Sequence, residues 1–261
     1  MTTRGRLAEG ESVVLVDTRG RRYLKILKRG HRLTVRGTVL EVDSIVGRDE
    51  GVLVGRGEPE RFRVFRPSYA ELAVRIQRAA EPVFAKDAGL MIMRGDIRAG
   101  DSLVEVGAGT GVLTLALLGI LGSGGSLTSY ELREDFAAQA RHNITLYHGE
   151  APNWALKVRD ARNGIDERGV DHVLADVPEP ASLLDPAADA LRPGGSLIAY
   201  VPTVGQFEEL RERLGGHPAY TGAETWEALE RSWHVEPPSV RPDHRMVAHT
   251  GFVTLARRIP H

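Results

Sequence analysis

The chain has 261 residues, 42% of them hydrophobic and 26% charged, with a formal net charge of −1 and no cysteine. That length can bury one large core and one lesser one, and the lack of cysteine excludes disulfides, zinc–thiolate sites and every mechanism built on a cysteine nucleophile. The longest apolar run, Val112 to Leu121, is far below the ~20 residues a membrane span needs, and Met1 to Glu11 is polar and charged, so a cytoplasmic protein is expected.

Charge is spread unevenly. Residues 1–66 hold 15 Lys/Arg against 9 Asp/Glu, a net of +6, and the remainder carries −7. From Arg19 to Arg36 there are eight basic residues and no acidic one. Such a run is either a solvated face of a strand pair or a footprint for a polyanion.

In chain order, residues 12–64 predict short strands at 13–16, 23–27, 33–35, 39–42 and 52–54, separated by Gly20, Gly30, Gly37, Gly47 and Gly51. That regular alternation of strands and turn glycines predicts a small antiparallel β-module over residues 1–66. Arg66-Pro67-Ser68 marks a boundary, with Ser68 as the cap of a helix over 69–78. A second domain, 67–261, then alternates helix and strand, which predicts an α/β fold with a doubly wound, mostly parallel sheet. Its predicted elements are helix 87–94, strand 102–106, helix 111–121, strand 126–130, helix 134–143, strands 154–158 and 171–175, and helix 181–191. Pro193-Gly194-Gly195 turns into strand 196–201, helix 206–214 comes next, and the last strands fall around Val235 and at 251–256.

The densest signal is Leu103-Val104-Glu105-Val106-Gly107-Ala108-Gly109-Thr110-Gly111, an apolar strand that ends beside an acid and three glycines that open a helix. Glycines there permit backbone angles and contact distances that a Cβ forbids, and the free N–H groups of the helix start can meet a carboxylate or phosphate. The spacing differs from the dinucleotide fingerprint, whose third glycine falls three residues after the second. Glu131 ends the second strand, where an acid reaches the ribose hydroxyls of a bound nucleoside. Asp160 follows the third strand and can accept a hydrogen bond from an exocyclic amine, and Asp176 follows the fourth. Glu105, Glu131, Asp160 and Asp176 thus punctuate four successive strand ends.

Beyond the glycine turn, the stretches Lys86-Asp87-Ala88, Ser129-Tyr130-Glu131-Leu132-Arg133, Asp171 to Pro178, Tyr200-Val201-Pro202-Thr203, Arg241-Pro242 and His249-Thr250-Gly251-Phe252 resemble the tRNA (adenine-N1)-methyltransferase family that modifies adenosine-58 of the T-loop. The likeness runs over nearly the whole chain, with one departure, Ala85, where the family usually has proline before Lys-Asp. It implies a Rossmann-like class I methyltransferase domain with a seven-stranded sheet, S-adenosyl-L-methionine as cofactor, tRNA as partner, no metal and a homotetramer. It also implies cofactor contacts from Gly107, Gly109, Thr110, Gly111, Val112, Leu113, Glu131, Phe136, Asp160, Ala161 and Asp176.

Transfer to N1 of neutral adenine is mainly a matter of in-line positioning, since that nitrogen already has a lone pair at pH 7. A carboxylate that accepts the N6–H favours the charge shift onto the ring. Asp176 is the candidate for that catalytic role. An extruded base is commonly held against an aromatic, and Phe84 and Tyr200 are the candidates, with His249 and Thr250 placed beside them by the resemblance. Trp226 and Trp233 read as core or subunit contacts. Two other functions compete: a class I methyltransferase on a protein or small molecule, such as an isoaspartyl-type carboxyl methyltransferase, and a non-catalytic RNA-binding partner subunit. The basic module and the His-Thr-Gly-Phe tail argue against the first, and the intact acids against the second. Asp176-Val177-Pro178-Glu179 lacks the aromatic that exocyclic-amine methyltransferases carry at its fourth place.

Overall fold

Alternating apolar residues build the N-terminal module of this computed structural model, which describes residues 5–76, 83–246 and 248–260. Strands β1 (Ser12–Asp17), β2 (Arg22–Ile26), β3 (Arg32–Val35), β4 (Thr38–Glu41), β5 (Leu53–Val54) and β6 (Phe62–Phe65) form a four-stranded sheet in the order β2-β1-β6-β5 and a separate β3-β4 hairpin, with every recorded pairing antiparallel. Val13, Leu15, Leu27, Val42, Ile45, Phe62 and Val64 close a core of their own. Strand β6 gives little signal in the sequence because Arg61 and Arg63 interrupt its apolar residues. Phe62 and Val64 nevertheless share one face, which is what a period of two requires.

The module is tied firmly to the larger domain. Arg22 pairs with Glu71 at 2.9 Å and Leu24 packs into the core of the second domain, while at the module's own end the Arg66 guanidinium donates back to Glu11 and Glu50. Helix α1 (Tyr69–Ala73) starts at a full capping box, in which Ser68 and Glu71 satisfy each other's backbone N–H groups. It is shorter than the 69–78 expected, and residues 77 and 78 lie outside those described. Helix α2 (Ala85–Gly95) begins two residues before its predicted start, with Phe84 as N-cap.

Strand β7 (Ser102–Val106), helix α3 (Val112–Leu121), strand β8 (Ser126–Glu131), helix α4 (Glu134–Tyr147), and strands β9 (Trp154–Val158) and β10 (Val170–Ala175) continue the alternation. A 3₁₀ turn (Pro180–Leu183) leads into helix α5 (Leu184–Ala190), where one unbroken helix was expected; Pro186 sits in its first turn, where its missing N–H costs nothing. Strand β11 (Leu191–Val201) contains the Pro193-Gly194-Gly195 turn as a bulge, since its pairing jumps from Val170↔Leu191 to His172↔Ser196. Helix α6 (Val204–Gly215) and strands β12 (Tyr220–Glu227), β13 (Trp233–Glu236), β14 (Ser239–Pro242) and β15 (Phe252–Arg258) complete the chain.

The large sheet has seven strands in the order β12-β15-β11-β10-β7-β8-β9, parallel from β11 to β9 and antiparallel where β15 joins its neighbours. The strand around Val235 is not among them. It pairs with β14 in a separate hairpin, and the seventh place is taken by β12, which the sequence does not announce because Glu224 and Thr225 interrupt its apolar residues. Successive residues of a strand face opposite sides, so Val104, Val173 and Leu197 enter one core while Leu103, Leu174, Ile198 and Tyr200 enter the other. Chain order reverses between β7 and β10, which opens a crevice at the carboxyl ends of the strands.

Candidate functional site

A cleft of about 580 Å³ occupies that crevice, within the range of small-molecule sites. Gly107, Gly109, Thr110, Val112 and Leu113 form its floor, Glu131 and Phe136 one wall, Asp160 and Ala161 a second, and Asp176 the edge shared with β10. Ten of the eleven expected cofactor residues therefore meet around one space.

The glycine turn is shaped by close approach. Gly107 has φ +90°, and a Cβ there would lie 2.2 Å from the Asp176 carbonyl oxygen. Gly109, at φ +54°, faces open space on the cleft side. Gly111 is the residue the structure places elsewhere. It caps α3 at φ +81° and presses on Ala140 of α4, with a Cβ contact of 3.2 Å, so its smallness serves helix packing instead of the cleft.

Glu131 is buried at the end of β8. Its carboxylate accepts from the Gly109 N–H at 2.8 Å and the Arg133 N–H at 2.9 Å, which fixes the glycine turn and the start of α4 relative to β8. Asp160 caps a 3₁₀ turn (Ala161–Asn163) and pairs with the Arg162 guanidinium at 2.8 Å, which lowers its pKa. Phe136 lies under the Arg133 guanidinium, 3.7 Å from ring centroid to Cζ. The Asp176 N–H donates to the Val106 carbonyl at 2.9 Å. Burial first, and then the Glu131 charge, push the Asp176 carboxyl up to about 7.

Glu105, grouped with the other strand-end acids in the sequence, does not line the cleft. It is fully buried, accepts from Thr114 at 2.7 Å and from Ser129, keeps Oε1 unpaired, and is pushed by burial up to about 7. Its role is to tie β7, β8 and α3 together beneath the glycine turn.

None of Phe84, Tyr200, His249 and Thr250 lines the cleft, though Val83, next to Phe84 in the chain, does; Tyr200 and Thr250 meet at the 249–251 loop, and Phe84 stands at the N-terminus of α2, two residues before Lys86, to which Thr250 is bonded. Tyr200 is buried under Gly251, and His249 bonds Glu227 and the Pro202 carbonyl, each at 2.7 Å. Trp226 is partly buried beneath the Arg94 guanidinium, whereas Trp233 is 61% exposed and belongs to no core. Sequence reasoning missed Tyr69, whose hydroxyl donates to the Val83 carbonyl at 3.3 Å. Burial pushes its phenol pKa up, and the charges of Glu105, Asp176 and Asp87 add to that shift. Nothing in its local sequence sets Tyr69 apart, because only the fold brings α1 to these acids. Among the described residues, no three His, Asp or Glu side chains are placed to hold a metal ion, and no helix is long and apolar enough to cross a membrane.

A switch-point cleft with a glycine turn, an acid at the end of the second strand of the large domain and a seven-stranded sheet carrying one antiparallel strand defines a class I methyltransferase domain. Solved structures share the whole architecture. An O-methyltransferase dependent on S-adenosylmethionine from Thermotoga maritima superposes with a TM-score of 0.90 at 29% identity, covering 98% of this chain and 95% of that one. The tRNA (m1A58) methyltransferase TrmI of Aquifex aeolicus gives 0.84 at 24% identity, covering 98% and 100%, a likeness of fold. The family model for the tRNA methyltransferase complex GCD14 subunit matches residues 70–241, and that for the TrmI-like N-terminal region matches 5–54. The tRNA (adenine(57)-N(1)/adenine(58)-N(1))-methyltransferase TrmI of Methanocaldococcus jannaschii is 30% identical, over 95% of this chain and 95% of its own. The tRNA (adenine(58)-N(1))-methyltransferase TrmI of Thermus thermophilus is 32% identical, over 94% and 96%. The chain belongs to the TrmI and GCD14 family of tRNA methyltransferases, as its motifs imply.

Proposed function

We infer that this protein transfers a methyl group from S-adenosyl-L-methionine to N1 of adenosine-58 in the T-loop of tRNA. The observation that carries the reading is the Asp176 carboxyl. It lines the cleft, is close enough for its charge to act on the buried Tyr69 and Tyr200 phenols, and has no basic partner among the described residues. The donor supplies an electrophilic methyl on a sulfonium, and this chain supplies position and charge.

In this reading Glu131 takes the ribose hydroxyls, Phe136 flanks the adenine, and Asp160 accepts the adenine amine once Arg162 yields to it. The floor from Gly107 to Leu113 leaves room for the amino-acid end. Asp176 accepts the N6–H of the target base, which draws electron density toward N1 as the new bond forms. The experiment is mass spectrometry of nucleosides from an unmodified tRNA transcript incubated with protein and cofactor. 1-Methyladenosine at position 58 is expected, and a transcript with uridine at 58 shows whether the adjacent adenosine is methylated as well. Label on protein or small molecules but not on tRNA would overturn the reading.

The basic run belongs to the same proposal, as a guide for the tRNA backbone. Half of it is already engaged: Arg21 pairs with Asp17, Arg22 with Glu71, Arg29 with Glu9 and Asp43, and Arg32 with Glu41. Arg19, Lys25, Lys28 and Arg36 have no acidic partner among the described residues, so they are the ones that would meet phosphates. Reversing Arg19, Lys25 and Lys28 to glutamate is expected to weaken tRNA binding and lower the log–log salt slope by about 0.7–0.9 for each phosphate no longer neutralised. Cofactor affinity should be untouched, and an unchanged slope would return the run to a solvated face. The homotetramer implied by the resemblance would use the β13–β14 hairpin, where Trp233, Val235 and Val240 are 61%, 64% and 59% exposed; sedimentation measures it.

A further inference from the structure

Lys86 and Asp87 form an ion pair almost wholly withdrawn from water, with side-chain exposures of 7% and 0% and a separation of 2.8 Å. Burying two charges is costly, and such pairs seldom stabilise a fold more than apolar residues of the same volume would. A pair retained in such a place is better explained by the geometry it imposes.

Every donor of the ammonium is used. Lys86 Nζ donates to Asp87 Oδ1, to the Ala228 carbonyl at 2.7 Å, and to Thr250 Oγ1. The Thr250 hydroxyl in turn donates to Asp87 Oδ2 at 2.5 Å. Three remote segments are thereby joined: the first turn of α2, the chain just beyond β12, and the loop that leads into β15. The same loop is held on its other side by His249. Its two ring nitrogens meet a Glu227 carboxylate oxygen and the Pro202 carbonyl, contacts that favour the protonated ring and raise its pKa.

What these bonds hold in place is aromatic. Phe84 precedes Lys86 by two residues, and its carbonyl accepts from the N–H groups of Asp87 and Ala88, so the first turn of α2 sets its backbone. Tyr200 lies against the loop so closely that a Cβ at Gly251 would come within 2.5 Å of its ring. The Tyr200 hydroxyl faces Thr250 and Asp87. Thr250, which the resemblance put among the substrate contacts, has its hydroxyl committed inside the protein.

We propose that Lys86, Asp87 and Thr250 are positioning residues, a buried clasp that fixes Phe84 and Tyr200 as the two walls between which the target adenine is held. The proposal rests on the tRNA-methyltransferase reading above. The clasp touches neither substrate nor cofactor, and it acts by holding α2 and the 249–251 loop at one separation.

The test compares Thr250→Val, which keeps the volume but removes the hydroxyl, with Thr250→Ser, which restores it, and with Gly251→Ala, which crowds Tyr200 without touching the ion pair. Single-turnover methylation of the tRNA transcript is normalised to sites that bind cofactor by calorimetry. Thr250→Val and Gly251→Ala are expected to lower the rate tenfold or more, with the cofactor Kd within twofold of wild type, and Thr250→Ser to stay within threefold of the wild-type rate. If the valine variant does not fold, Gly251→Ala and Thr250→Ser decide between them. An unchanged rate in Thr250→Val, a serine variant no better than valine, or an unaffected Gly251→Ala overturns the clasp. Wild-type protein that binds cofactor but leaves adenosine-58 unmodified overturns the functional reading and the clasp with it, so the two failures are distinct.

Discussion

Asp176→Asn should lower methyl transfer by about 100- to 10,000-fold, the usual contribution of a positioned acid–base group, while cofactor still binds. The substitution is nearly isosteric and leaves the backbone bond to Val106 intact, so the glycine turn has no reason to move. What it removes is the negative charge that accepts the N6–H as the ring turns cationic. Single-turnover labelling of tRNA measures the loss, and a variant within threefold of wild type would remove Asp176 from the chemistry.

The pH behaviour of the same residue has a definite sign. Burial and the Glu131 charge raise its folded-state pKa from the ordinary carboxylate value to about 7. The folded protein then holds that proton more tightly than the unfolded chain does. Stability is lost as pH rises past the ordinary carboxylate value, and the loss is complete above about 7. Asparagine cannot ionise, so the ligand-free variant is expected to melt higher than wild type at pH 8 and to differ little from it at pH 4. For wild type, kcat/KM should climb as pH passes through about 7, since that ratio reports the free enzyme. Thermal melts across pH decide the first point, and a flat rate profile would refute the second.

Glu131→Gln should chiefly weaken cofactor binding. A hydrogen bond to a charged group contributes roughly 1.5–3 kcal/mol, which corresponds to about a 10- to 100-fold rise in Kd. The side chain also receives the Gly109 and Arg133 N–H groups. A glutamine can accept through only one of its two terminal atoms, so one of those donors loses its partner and the turn loosens. Calorimetric titration with cofactor and with the demethylated product should show the same weakening for both, because the ribose is common to them. A Kd unchanged for either ligand would mean that the ribose is held elsewhere.

Much of this site is legible from the chain alone, for reasons that are local. Glycines at 107, 109 and 111, an apolar strand before them and a helix after them form one contiguous signal. Glu131, Asp160 and Asp176 join it because, in a doubly wound sheet, strand ends converge on one crevice. The alternation of helix and strand from α2 to β11 is likewise encoded in nearest-neighbour pattern and turn residues, and the motif resemblance extends it to the family.

Other features were settled only when distant segments met. Gly111 and Gly107 look equivalent in the sequence, yet one faces Ala140 and the other the Asp176 backbone, a difference set by which helix crosses where. Glu105 reads like its three acidic companions, but its place one residue inside β7 turns it toward Thr114 and Ser129 and away from the cleft. Strand β12 and the hairpin at Val235 exchanged roles because edge strands with polar interruptions give a weak period-two signal, and pairing with β15 decides the matter. Thr250 and His249 look like free polar groups at a pocket rim, yet their polar atoms meet Lys86, Asp87, Glu227 and Pro202, some as far as 164 residues away. A sequence pattern specifies what each residue can do with its neighbours in the chain, whereas burial, proton affinity and the exhaustion of hydrogen-bonding capacity depend on neighbours in space, and these only the tertiary structure assigns.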